Sequence, residues 1–70
     1  QYELKEMKKI ILLELENISI EQKEIFLLKE YGGLSYKEIA VVSNIDENLV
    51  KSRLYKTRQK LIERISKIVE

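Results

Sequence analysis

The only two glycines in this 70-residue chain stand side by side at Gly32-Gly33, and there is no proline. That pattern limits the fold more than any other feature. Antiparallel sheets need frequent turns, and turns draw on glycine and proline. A chain with a single glycine step has few places to reverse tightly, so it is expected to form helices joined by short connections. Its 44% hydrophobic content is too high for a disordered chain.

Four helices are read from caps and apolar spacing. The first covers about residues 4–16, with Leu4, Met7, Ile11 and Leu15 forming one stripe that continues to Ile18. Ile10, Leu12 and Leu13 widen that stripe. The excess is read as a thick core, with a docking face as the alternative. Ser19-Ile20-Glu21-Gln22 reads as a capping box, starting a helix over about 20–31 that buries Ile25, Phe26 and Leu28. Gly32-Gly33 stops it, since glycine tolerates a left-handed backbone.

A second capping box, Ser35-Tyr36-Lys37-Glu38, opens a short helix over about 36–43. Asn44 suits a left-handed turn and Asp46 suits an N-cap. A long last helix then covers about 47–69, with Val50, Leu54, Thr57, Leu61, Ile65 and Ile68 inward. The whole chain, residues 1–70, reads as one all-α domain.

A short helix, a tight turn and a longer helix make a helix-turn-helix. Ala40 supplies the small residue at the crossing, and Ile39, Ile45, Val50 and Leu54 fill the wedge. The fold expected is therefore a four-helix helix-turn-helix domain with a long C-terminal recognition helix.

Charge distinguishes the last helix. The chain carries 13 basic and 12 acidic residues, net +1. Residues 1–46 hold six basic and nine acidic residues, net −3, whereas residues 47–70 hold seven and three, net +4. No acid occurs between Val50 and Ile62, where a merely solvated helix would mix Glu with Lys. At about 100° per residue, Asn48, Ser52, Tyr55, Lys56 and Gln59 lie opposite Leu54, with Lys51, Arg53 and Lys60 on the flanks. Polar and aromatic groups edged by cations suit a DNA groove, where side chains read base edges and cations pair with phosphates.

Other chemistries find little support. No cysteine or histidine is present, which removes disulfides, Cys/His zinc sites and Ser-His or Cys-His nucleophilic pairs. No paired carboxylates suggest acid–base catalysis, so neither an enzyme nor a cofactor is expected. No apolar run approaches the roughly 20 residues of a membrane span, and a cytoplasmic protein without membrane contact is the expectation. The first residue is Gln1 rather than methionine, which reads as a fragment or a processed form.

"GLSYKEIA" (Gly33–Ala40) followed by "LVKSRLYKTRQKL" (Leu49–Leu61) resembles region 4 of bacterial sigma factors, the extracytoplasmic-function type in particular. That type usually reads GLSYEEIA followed by TVKSRLxRARxxL. "IEQKEIFLLKEYGG" upstream resembles the helix preceding that motif, so the likeness covers about Ser19 to Leu61. It implies a bacterial domain that reads the minus-35 promoter element in the major groove and docks on the β flap of RNA polymerase, with an anti-sigma protein as a further partner. Carried over by position, Lys51, Ser52, Tyr55 and Lys56 would face the bases. Lys29 would reach a phosphate, and Ser35 and Tyr36 would set the third helix's N-terminus against the backbone. Asn48, Arg53 and Gln59 are also assigned to phosphates.

The chain departs from the family pattern in several places. Leu49 stands for a usual threonine, Ser43 for leucine, Asn44 for glycine and Thr57 for alanine. Arg58 lies near the core flank, where it is read either as a phosphate contact or as a brace paired with Glu38. Lys60, Arg64 and Lys67 are read as favouring the negative end of the helix dipole. A sigma factor also needs a region that melts the minus-10 element, and 70 residues do not hold one. Two other functions remain open at this point. One is a response-regulator helix-turn-helix that binds paired half-sites as a dimer. The other is a protein-docking module with little DNA affinity.

Overall fold

A computed structural model describes residues 3–69. Among them are four α-helices and no strand: α1 (Leu4–Glu14), α2 (Ile20–Glu30), α3 (Tyr36–Ser43) and α4 (Glu47–Val69). A 3₁₀ turn over Leu15–Asn17 follows α1, so the α-helix stops two residues short of the expected Glu16. The tightened turn puts Leu15 and Ile18 into the core before the chain becomes extended at Ile18.

Local hydrogen bonds set most helix ends. The Glu38 amide donates to Ser35 Oγ at 3.1 Å and the Ser35 amide donates to Glu38 Oε1 at 2.8 Å, a reciprocal capping box. The start of α2 departs from the expected capping box. The Gln22 amide donates to Ser19 Oγ at 3.3 Å, but the Gln22 side chain accepts from the Ser19 hydroxyl instead of the Ser19 amide. Asp46 caps α4 by accepting from the Asn48 amide at 2.9 Å.

The two interior turns use different devices. Asn44 adopts the left-handed conformation, φ 56° and ψ 47°, and its carbonyl-side neighbour Ile45 donates back to Ala40 at 3.0 Å. After α2, Gly33 takes φ 72° while Gly32 has a different constraint. A Cβ on Gly32 would lie 2.7 Å from the Leu28 carbonyl oxygen, too close for any side chain.

The core gathers Leu15, Ile18, Ile25, Phe26, Ile39, Val50, Leu54 and Leu61, with Thr57 the buried polar residue among those described. Val50, Leu54, Thr57 and Leu61 recur at spacings of four, three and four, so one seam of α4 meets α1, α2 and α3 together. The Thr57 hydroxyl donates to the Arg53 carbonyl at 2.6 Å and is thereby satisfied.

Three packing expectations change. Leu28 is only half-buried, and Ile68 is exposed. On α1, Leu4, Leu12 and Leu13 are exposed, while Met7 and Ile11 are half-buried. The excess apolar surface of α1 therefore lies outside the core instead of thickening it. An apolar groove of about 450 Å³ opens between α1, α2 and α4, lined by Met7, Ile11, Phe26, Leu61, Ile62 and Ile65.

Candidate nucleic-acid interface

The seam that buries one side of α4 fixes what its other side shows. Asn48, Lys51, Ser52, Tyr55, Lys56 and Gln59 are all exposed, and Tyr55 is 65% so. These six share one surface, free of acids apart from Glu47 at the first turn. Glu47 Oε2 lies 3.8 Å from Lys51 Nζ, an exposed pair of little energetic weight.

Arg53 is placed differently from these six. It is half-buried and points to the side of α4 that faces the start of α2. There it lines one groove with Glu21 and Glu24 and a small polar recess with Ser19, Gln22, Ser52 and Lys56. Ser19 and Gln22 thus border the recognition surface, a neighbourhood that their role as a helix cap gave no reason to expect. Leu49 lines the same recess, so the position that is usually threonine presents an apolar group there.

At the other edge of α4, Tyr36 occupies the first turn of α3 and is half-buried. Lys29 Nζ of α2 lies 4.6 Å from the Tyr36 ring centroid, and Lys51 Nζ of α4 lies 5.6 Å from it. Both distances fall within the range of cation–π attraction. Lys29, Ser35, Tyr36 and Lys51 are therefore one local cluster, although they come from three helices. Ser35 is exposed at the head of α3, with its hydroxyl already committed to the Glu38 amide. The Glu38 carboxyl is held below its usual value, first by the Ser35 amide, then by the Ser35 hydroxyl and the nearby Lys29 charge.

Arg58 braces the fold, but not through Glu38. Its guanidinium hydrogen-bonds Glu30 at the end of α2. Glu38 is taken up by its own cap, while Glu30 faces α4 across the α2 contact. The Arg58 pKa is raised chiefly by Glu30 and further by the Tyr36 hydroxyl beside it. Arg64 likewise forms a tertiary pair, with its Nε 2.5 Å from Glu14 Oε1 of α1. It thereby ties α4 to α1. Lys60 and Lys67 remain exposed on α4.

The surface thus has polar and aromatic groups central and lysines beside them, while the three arginines of α4 turn toward neighbouring helices. An α-helix of this kind fits the major groove of B-DNA, which is about 12 Å wide. Among the described residues no helix is long and apolar enough to cross a membrane.

Comparison with known proteins agrees with this arrangement. Residues 8–61 match the family model for sigma-70 region 4, which covers more than half of the chain. The chain is also similar to the ECF RNA polymerase sigma-E factors of Escherichia coli strain K12, Salmonella typhimurium strain LT2 and Shigella flexneri. Each is 25% identical over 64 residues, covering 91% of this chain and 34% of the relative. The chain spans about a third of the length of these relatives. No solved structure matches it. The matched segment contains α2, α3 and the exposed face of α4 with the turn that aims it, and on this evidence the chain belongs to the sigma-70 region 4 family, as a helix-turn-helix DNA-binding domain.

Proposed function

We propose that this domain reads the minus-35 element of bacterial promoters and helps to place RNA polymerase there for transcription initiation, in the bacterial cytoplasm. The observation that carries the reading is the exposed, acid-free α4 surface between Val50 and Ile62. Ser52, Tyr55, Lys51 and Lys56 lie where a helix in the major groove meets base edges. Lys29, Asn48, Gln59 and the head of α3 at Ser35 and Tyr36 flank them, within reach of the two phosphate backbones. Arg53 approaches the backbone from the α2 side, past the recess it shares with Ser52 and Lys56.

Docking on the polymerase β flap is assigned to the groove between α1, α2 and α4. It is apolar along its walls, with the Glu30 and Arg58 pair at its edge, and it lies away from the recognition surface. An apolar helix seated there would leave α4 free for DNA. An anti-sigma protein would act most simply by competing for the same groove. The region 4 family is non-catalytic, and no chemical step is assigned to this domain.

The test is sequence preference. Ser52→Ala and Tyr55→Ala are expected to change the ranking of duplexes that vary within the minus-35 element, each altered base contact shifting discrimination by about 1–3 kcal/mol. Equal loss on specific and random duplexes would remove both residues from base reading. A stable DNA-bound dimer on paired half-sites would support a response-regulator mode instead.

A further inference from the structure

The cluster around Tyr36 has a consequence for how the DNA surface is assembled. Two ammonium groups from different helices, Lys29 on α2 and Lys51 on α4, approach one aromatic ring at 4.6 and 5.6 Å. Like charges brought together at a surface would ordinarily spread into solvent. The ring's negative face opposes that tendency by attracting both. The nearby carboxylates do not replace it. Glu47 lies 3.8 Å from Lys51 in an exposed pair, Glu38 is committed to the Ser35 amide, and Glu30 is committed to Arg58.

The ring is itself well anchored. Its backbone stands in the first turn of α3, where the Ser35–Glu38 box fixes the helix start. Its body packs against the core, and its hydroxyl lies beside Arg58, which Glu30 holds. A rigid aromatic is thus locked where α2, α3 and α4 meet, carrying a cation from each of two helices.

We propose that Tyr36 is a positioning residue for DNA binding, its ring presetting Lys29, toward the phosphates, and Lys51, toward the bases, as one paired cationic edge before DNA arrives. The inference rests on the DNA-binding reading and adds to it a role for the aromatic side chain, distinct from the backbone amides at the head of α3. Lysine is a flexible side chain whose ordering costs entropy on binding. A ring that orders two lysines in the free protein lowers that cost.

Tyr36→Leu and Tyr36→Phe separate the ring from the hydroxyl. In the free protein, the ring current should shift the Lys29 and Lys51 Hε resonances upfield in the wild type and in Tyr36→Phe, but not in Tyr36→Leu. Affinity for a minus-35 duplex is expected to fall about fivefold in Tyr36→Leu and to be restored in Tyr36→Phe. In a double-mutant cycle, Lys29→Ala should cost clearly less in the Tyr36→Leu background than in the wild type. Circular dichroism confirms that each variant is folded at the assay temperature, since a purely structural loss would lower the melting temperature and leave the cycle additive. An additive cycle, unshifted lysine resonances in the wild type, or a Tyr36→Phe defect as large as that of Tyr36→Leu would each overturn the proposal. Wild-type protein that shifts the lysine resonances but fails to bind DNA would instead overturn the DNA-binding reading, and the positioning role with it.

Discussion

Replacing Arg58 with methionine separates bracing from DNA contact at the most ambiguous cation of α4. The substitution removes the charge and keeps most of the aliphatic stem that borders the α1–α2–α4 groove. Arg58 and Glu30 side chains are 39% and 38% exposed, so solvent screens their attraction. A pair of this kind contributes about 0.5–1 kcal/mol. In a domain of this size that corresponds to a melting-temperature drop of roughly 2–8 °C. Glu30→Gln should cost a similar amount, and the two losses should not add, because each removes the same interaction. The raised Arg58 pKa adds no pH dependence in the ordinary range. Its stabilisation is fully present below the ordinary guanidinium range and is lost only as pH rises through the still higher folded value. Thermal melts of the two single variants and the double variant provide the assay, alongside DNA titrations at several salt concentrations. The slope of log K against log salt should stay at the wild-type value in Arg58→Met. An unchanged melting temperature together with a slope shallower by about one unit would place Arg58 on a phosphate and refute the brace.

Other variants address separate links. Ser43 lines an apolar groove with Ile25, Leu27, Leu28 and Val42, where the family usually has leucine. Ser43→Leu should fill part of it and raise stability by about 1 kcal/mol, and a lower melting temperature would show that the groove has no room for the side chain. The depressed Glu38 pKa means that its cap stabilises the fold above the unfolded value of 4.5 and loses that effect as pH falls through the lower folded value. Acid unfolding of the wild type should therefore steepen below pH 4.5, and Glu38→Gln should show a shallower decline over the same window. Parallel acid profiles would remove Glu38 from the pH dependence.

The parts legible in the sequence are those settled within one turn of chain. Ser35 and Glu38 find each other three residues apart, and Asn44 carries its left-handed preference with it, so the third helix and the turn after it could be read locally. The buried seam of α4 follows from spacing alone, and its exposed face follows from the seam. Contacts between helices were not legible in this way. Arg58 reaches Glu30 and not Glu38 because the choice depends on how α2 is rotated against α4. Arg64 meets Glu14 for the same reason, across the α1–α4 contact. The apolar width of α1 gave no sign of which residues would stay exposed, since Leu12 and Leu13 look like core residues until α2 and α4 leave them uncovered. At the recognition surface, the exposed members of α4 were visible beforehand, whereas the Tyr36 cluster and the turn of Arg53 toward α2 required the packing of three helices.

DNA binding by the exposed face of α4 is tested most plainly at Lys56. Lys56 is exposed on that face and has no ion-pair partner among the described residues. Its replacement should change binding without disturbing the core. The measurement is affinity for a minus-35 duplex across a series of salt concentrations, for wild type and Lys56→Ala. The wild type should show a linear fall of log K with log salt, and Lys56→Ala should bind more weakly with a slope shallower by about one unit. An unchanged slope with unchanged affinity would put Lys56 away from the DNA, and wild-type binding indifferent to salt would contradict DNA recognition by this surface.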